Sequence, residues 1–520
     1  MFSIKSPSEY LDDLKGRLTK EQKTAFLSVF IIGFFCHLFI LTNSMYNNDD
    51  IRNLYATQDR TDLGRWLLPY AAGLSSFFSL PIVNGILSLL FLSLTGMVLV
   101  RIFDLHNRYG ILLISGILAV FPSVACIFAY MFTADAYFIS CFLAALSVYF
   151  VTRIKHRRLW IAGAVCLCCS VGIYQAYLTF VLLLLLLFFL LALLQPAQYT
   201  QKDIVSLLIR YVLMLGSGMA AYYLFLIAAL RIKQTALSSY QGVDQSAAFS
   251  LHDIKSRIVL IYRDFIQRFR TGEILAFNRW IQIASLVCVL LLAVLVCTLF
   301  LKNRVFASPL RSILLVLAAA VLPMCANTIY LISADVNYHT LMRHSWCLLF
   351  IAPVIFSEKA APLFRLSLQR LLEWISFAAV FLAMWNFILL SNIAYFNMNF
   401  RYEKTYALCI KIMDRIEQSP DYDKDRPLAL IGNYSKTYKM EETVDLLEPM
   451  TGMKGPRVFG GTSRAYLPFF QNCLGEDITV VTPQEEAALQ ATPEFQEMPR
   501  FPHDGSIRVI NGVTVIKLND

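Results

Sequence analysis

LWIAGAVCLCCSVGIYQAYLTFVLLLLLLFFLLALL, residues 159–194, runs for 36 residues without a charged side chain. A bilayer core takes roughly 20 helical residues to cross, so this run is too long for one span and too apolar for a surface segment. The stretch Gly172-Ile173-Tyr174-Gln175 divides it into two spans, 159–174 and 176–194, joined as a hairpin. Apolar segments of similar length lie to either side, at 25–42, 83–103, 109–130, 132–152, 204–230, 279–301, 309–330, 343–356 and 372–395. The chain therefore reads as an all-α polytopic membrane domain of about 11 transmembrane helices. Composition agrees: 57% hydrophobic residues, 16% charged residues and a mean hydropathy of +0.58 exclude a soluble protein.

The 12 cysteines fall mostly inside the apolar runs, Cys166, Cys168 and Cys169 among them. There they act as small hydrophobes and say nothing about redox compartment. Residues 1–24 are too long and too acidic for a signal-peptide n-region. They read as a cytoplasmic amphipathic segment, and the first apolar run as a retained anchor.

Basic residues orient the spans. Arg101 and Arg108; Arg153, Lys155, Arg157 and Arg158; Lys202; Lys302 and Arg304; and Lys359, Arg365 and Arg370 occupy alternate loops, on the side of the basic N-terminus. That side is expected to be cytoplasmic. With an odd number of spans, the loop after the first span, the Asp135 and Tyr174-Gln175 hairpins, the 231–278 loop and the C-terminus then face outside. Arg257, Arg263, Arg268 and Arg270 would break the rule in a plain loop, but Ile254, Ile258, Ile261, Phe265 and Phe269 recur at helical spacing and predict an amphipathic helix there.

From about residue 396 the chain turns polar. Leu428–Ile431, Ile478–Val481 and Ile507–Lys517 read as short strands, the last folded over an Asn511-Gly512 turn. The resulting layout is 1–24, a membrane domain at 25–395, and a soluble extracytoplasmic α/β domain at 396–520, in which Cys409 and Cys473 are equally a disulfide pair or buried thiols.

Candidate chemistry gathers in residues 43–70, NSMYNNDDIRNLYATQDRTDLGRWLLPY. Asp49 and Asp50 follow the first span, and Arg52 and Arg65 lie within one loop of them. Read alone, such an acid pair is a solvated helix terminus. Asp135, Tyr174, Gln175, Arg343 and His344 fall at span ends on the same expected face, however, and ionisable groups gathered at one face argue for a cavity. Arg343 and His344 read equally as snorkelling anchors. Carboxylates beside guanidinium groups can take a proton from a hydroxyl and hold a phosphate. Walker A, GxGxxG, HExxH and paired CxxC motifs are absent from the sequence, and the net charge of +9 is membrane-orienting, so neither nucleic-acid binding nor a metal site is expected.

NNDDIRNL with DLGRWLLP downstream, then FPSVACIFAYMFTADAYFIS, SVGIYQAYLTF and RHSWCLLFIAP, together resemble the bacterial serotype-converting O-antigen glucosyltransferases, membrane enzymes of the GT-C class. The resemblance spans roughly residues 25–395. It implies a GT-C-like fold in the bacterial cytoplasmic (inner) membrane and an undecaprenyl-phosphate-linked sugar donor. The sugar and the acceptor do not transfer with the resemblance; the reading taken is glucose passed to a surface polysaccharide such as O-antigen or a wall or teichoic polymer, with a dedicated flippase and donor synthase as partners. The resemblance also implies catalysis by Asp49 or Asp50, with Arg65 as a donor-phosphate contact and Asp135 as a second acid in the cavity. Beyond the resemblance, Arg52, Trp66, Tyr174, Gln175, Arg343 and His344 are expected to bind substrate, and Asp49, nearer the preceding span and so nearer the membrane surface, is favoured as the base. No cofactor is expected, because arginines can take the charge of a phosphate monoester leaving group. The competing classes are a lipid-linked glycan flippase or transporter and a polysaccharide polymerase or ligase.

Overall fold

The computed structural model describes residues 6–153, 156, 158–239, 251–271, 279–332, 336–432, 447, 449–454, 458 and 462–519. Lys155 and Arg157 of the basic loops, and the side chains of Phe269 and Arg270, lie outside the described set. Two compact units divide the chain: Met1–Thr42 with Ala56–Asn392, and Asn43–Tyr55 with Ile393–Asp520. The loop carrying Asp49 and Asp50 thus belongs to the second unit, a division different from the linear one expected.

The first unit opens with α1 (Pro7–Arg17) and α2 (Lys20–Thr42). Between them Thr19 Oγ1 accepts from the Gln22 N–H at 3.3 Å and the Thr19 N–H donates to Gln22 Oε1 at 3.1 Å. This reciprocal cap starts α2 five residues before the apolar run begins. After α3 (Asn48–Arg52) of the second unit come α4 (Leu68–Ala72), α5 (Pro81–Phe103), α6 (Arg108–Val120), α7 (Pro122–Phe128), α8 (Met131–Thr152), α9 (Leu159–Ile173), α10 (Tyr177–Leu194) and α11 (Gln201–Lys233). There follow α12 (Leu251–Thr271), α13 (Arg279–Lys302), α14 (Pro309–Ala326), α15 (Ile329–Ile332), α16 (Cys347–Ala360) and α17 (Leu366–Glu417). Proline at the first turn opens α5, α7 and α14, the Asn107 side chain caps α6, and Thr200 with Asp203 forms a capping box on α11.

Among the described residues, nine helices are long and apolar enough to cross a membrane, or ten if the α6–α7 pair, bent by 41° at Pro122, counts as one span. The expected eleventh, α9, has 15 residues, about 22 Å of helix against a core of roughly 30 Å. At the other extreme, α17 runs unbroken for 52 residues, so the expected last span at 372–395 and residues 405–417, which the sequence reads as the first helix of the soluble domain, are one element. The amphipathic helix predicted around residue 260 is α12, which packs on α14 and α15 with Ile261 buried beside Ile329, Tyr330 and Tyr338.

Within this unit α5 lies against α2 and α8, α8 against α9, and α9 against α11. A Cβ on Gly96 would stand 2.9 Å from Val29 Cγ2, so the glycine sets how near α5 comes to α2. Two buried hydroxyls of α5 are satisfied inside the helix itself: Ser88 and Ser93 each donate to the carbonyl four residues back at 2.6 Å. That arrangement suits a medium without water.

The second unit is built on the C-terminal part of α17 and a sheet of β1 (Leu428–Ile431), β2 (Ile507–Ile510) and β3 (Val513–Lys517), in the order β1-β3-β2. β1 runs parallel to β3, and β2 pairs with β3 as an antiparallel hairpin. The turn is the predicted Asn511-Gly512, both residues at positive φ (51° and 76°) as a two-residue hairpin requires. Ile478–Val481 makes only one bridge, Leu428 to Val480, and is not a strand. Ile51 is buried in one core with Cys409, Ile412, Ile416, Phe469 and Phe470, and Asn472 Nδ2 donates to the Ile51 carbonyl at 2.9 Å. Segment 43–55 is therefore built into this unit. Cys409 and Cys473 are free thiols, the first buried in that core and the second packed against it.

Candidate functional site

The most constructed recess in the first unit forms where the Asp62-Leu63-Gly64-Arg65-Trp66 turn meets the break between α9 and α10. Gly64 holds φ +79°, and a Cβ there would stand 2.6 Å from Gln175 Nε2 and 2.7 Å from the Tyr222 hydroxyl. Only glycine fits that turn. Three hydrogen bonds clamp it: Gln175 Nε2 to the Leu63 carbonyl at 2.7 Å, the Tyr222 hydroxyl to the Gly64 carbonyl at 3.0 Å, and the Leu67 N–H to the Gly172 carbonyl at 3.0 Å. The base of the loop is tied to the end of α11, where Lys233 Nζ donates to Asp59 at 2.7 Å and to Thr61 Oγ1 at 2.9 Å. Burial pushes the Asp59 carboxyl up, but Lys233 and Thr61 outweigh it and hold the group below its ordinary value.

This clamp aims Arg65. Its guanidinium carbon stands 4.9 Å from the Tyr174 ring centroid, and Nη1 donates to the Tyr137 hydroxyl at 3.1 Å. Tyr137 and Tyr174 are themselves stacked, centroids 4.0 Å apart and 3° from parallel. Trp66 stacks on Phe225 at 5.2 Å, and its indole edge fits against Gly172. Arg65, Tyr174, Gln175, Tyr222, Tyr223 and Met342 line a cavity of about 140 Å³ here. Four expected site residues, Arg65, Trp66, Tyr174 and Gln175, thus come together, although Gln175 holds the turn through its amide and Trp66 packs behind it. Tyr137 and Tyr222 were missed; Tyr137 sits two residues beyond Asp135, inside a stretch already singled out.

Asp135 lies in the second turn of α8, fully buried, with Asn84 Nδ2 3.4 Å from Oδ1. Asn84 also donates to Ser75 Oγ at 3.2 Å and the Met131 carbonyl at 3.1 Å. The acid therefore belongs to a polar knot joining α5, α8 and the 73–75 turn.

Arg343 and His344 do not face the recess as donor contacts. Arg343 has no exposed surface: Nη1 meets Asp264 Oδ2 at 2.9 Å and Asn327 Oδ1 at 3.2 Å, Nη2 and Nε donate to the Tyr338 carbonyl, and the guanidinium lies 3.7 Å over the Tyr338 ring. Its donors are engaged by protein and its charge is matched by Asp264, itself bonded to Arg268 Nε at 2.8 Å. Burial pushes the Asp264 carboxyl up, yet the adjacent Arg343 and Arg268 prevail and keep it below its ordinary value. His344 is buried among Phe138, Tyr177 and Phe180, with Nδ1 3.4 Å from the Tyr177 hydroxyl. It packs as a core histidine.

Removing Asp264 leaves Arg343 buried without its counter-charge, which costs about 3–5 kcal/mol. Asp264→Asn is accordingly expected to lower the unfolding temperature well below wild type, while Asp264→Leu combined with Arg343→Met recovers much of the loss. A depressed folded pKa means the pair's contribution is complete above the ordinary carboxylate value of about 3.9. It disappears as pH falls through the lower folded value, so the wild type should show an acid loss of stability that the double variant lacks. Equal unfolding temperatures for wild type and Asp264→Asn at neutral pH would remove this role from the pair.

In the second unit, Asn47 Oδ1 caps α3 by accepting from the Asp49 and Asp50 N–H groups at 2.8 and 2.9 Å. The two acids diverge from there: Asp49 is exposed and Asp50 is 1% exposed, while Arg52 is exposed at the helix end. Among the described residues no three His, Cys, Asp or Glu side chains converge as a metal-ligand set.

Many long apolar helices define a multi-pass membrane protein. The model of the glucosyl transferase GtrII family matches residues 38–356, more than half of the chain, and the protein belongs to that family. The matched span contains both the acidic segment and the Arg65 recess. Comparison with curated proteins and with solved structures finds no match.

Proposed function

We propose that the protein transfers glucose from a polyprenyl-phosphate carrier, undecaprenyl phosphate in a bacterial inner membrane, to a surface polysaccharide such as O-antigen. The observation that carries this reading is the Arg65 recess in a chain of the glucosyl transferase family: a guanidinium oriented by two tyrosines, on a turn that only glycine can make. A planar guanidinium matches a phosphate's paired oxygens. In the reaction, an acceptor hydroxyl oxygen attacks the anomeric carbon and the bond from that carbon to the phosphate oxygen breaks. The carrier phosphate leaves with the electron pair, and the hydroxyl proton passes to a carboxylate. A single displacement of this kind inverts the anomeric centre.

On chemical grounds the base is one of the acids at 49 and 50, and burial favours Asp50, since a carboxylate shielded from water takes its proton from the acceptor hydroxyl rather than from solvent. Asp135 would orient a sugar hydroxyl. The alternating basic loops support a cytoplasmic N-terminus and an extracytoplasmic C-terminal unit. Guanidinium groups would serve in place of a divalent ion.

The test is the purified protein in vesicles with labelled undecaprenyl-phosphate glucose and polysaccharide, with and without chelator. Label should pass to the polymer in both conditions. Movement of donor across the vesicle without transfer would replace this reading with a flippase, and chain elongation would replace it with a polymerase.

A further inference from the structure

A second cavity, of about 380 Å³, lies in the first unit at the start of α6, the end of α16 and the start of α17. Its volume falls within the roughly 300–1,000 Å³ of ordinary ligand pockets. Three apolar helices end here together, which places the opening at the boundary between hydrocarbon and water. Its walls divide in the same way. Toward the helix bodies they are apolar, with Leu113, Val354 and Phe377; toward the helix ends they carry Glu358, Arg370 and Glu373.

Tyr109, 73% exposed, and Trp374, 69% exposed, stand at the rim, the position that aromatic residues take at a membrane interface. One further group sits inside. Ser376 is 4% exposed and lines the cavity, and its Oγ has no hydrogen-bond partner among the described residues. A buried hydroxyl left unmatched costs free energy that a ligand oxygen would recover.

We propose that this cavity is a binding site for a phospholipid whose headgroup carries a primary ammonium, as in phosphatidylethanolamine. One guanidinium matches one phosphate, and two carboxylates match one ammonium with N–H groups to donate. Glu358 Oε1 already accepts from the His106 N–H at 2.7 Å and Glu373 Oε1 from Gln369 Nε2 at 2.9 Å, so both carboxylates are held in place rather than free to swing into solvent. Ser376 meets an ester or phosphate oxygen, and the apolar wall takes the start of an acyl chain. A trimethylated headgroup has no N–H to offer the carboxylates. A glycerol headgroup brings no cation and leaves them facing a phosphate.

Native mass spectrometry of the full-length protein with equal amounts of phosphatidylethanolamine, phosphatidylcholine and phosphatidylglycerol of matched chains tests the assignment. Phosphatidylethanolamine should be retained at least about tenfold over the other two, the scale of one charge-assisted hydrogen bond. Glu373→Gln should reduce its retention toward that of phosphatidylcholine. Trp374→Ala, at an exposed position that the fold tolerates, should weaken retention of phosphatidylethanolamine. Equal retention of the three lipids by the wild type, or a preference for phosphatidylglycerol, would overturn the proposal. So would a phosphatidylethanolamine preference that survives both variants.

Discussion

Asp50→Asn is expected to cut turnover by about 100- to 10,000-fold, the usual loss when a general base is removed, with expression and donor binding preserved. The substitution keeps the side-chain shape and removes the charge, and α3 keeps its cap because Asn47 bonds backbone N–H groups that it leaves untouched. Asp49→Asn, at an exposed position on the same short helix, should cost far less. Initial rates with labelled donor, measured on protein shown to be folded by size-exclusion chromatography, decide between them. A dead Asp49→Asn beside an active Asp50→Asn would move the role to Asp49. Full activity in both variants would end the proposal that this acid pair supplies the base.

Arg65→Ala should lower kcat/KM for the donor by about 100- to 1,000-fold, as losing one oriented donor to a developing charge does. Arg65→Lys tests what the guanidinium adds: the charge stays, while the flat stack over Tyr174 and the fork of N–H groups are lost, so most of the deficit should remain. Tyr137→Phe removes only the hydroxyl that accepts from Nη1 and should cost several-fold, in line with a single net hydrogen bond. Arg65→Ala within threefold of wild type would show that the recess does not hold the donor phosphate.

The elements legible in the sequence were those marked by local chemistry. The uncharged run from 159 to 194 breaks where Tyr174 and Gln175 interrupt it, and the structure ends α9 at Ile173 and starts α10 at Tyr177. Asn511-Gly512 demanded positive φ at both positions and formed the hairpin. Helix ends were harder to read, because apolarity reports what contacts lipid and charged residues can continue a helix into water; α11 and α17 both extend past their apolar stretches. The Arg65 recess was half legible, its pieces visible as motifs and their meeting not. Asp264 could not be read as the partner of Arg343, since the two lie 79 residues apart and each alone resembles a surface charge. The same distance effect concealed the allegiance of residues 43–55, whose core partners begin beyond residue 400.

That allegiance has a consequence for how the protein is made. Residues 43–55 are translated more than 300 residues ahead of the rest of their unit. At about 5–20 residues per second, Ile51 waits on the order of half a minute for Ile412, Phe469 and Phe470 to arrive and cover it. During that interval the first helix is already available to the membrane while the segment after it has no core to join. A ribosome stalled near residue 400, or a gene truncated there, would therefore leave two lesions at once: a missing C-terminus, and an uncovered apolar side chain next to the acid pair near the start of the chain.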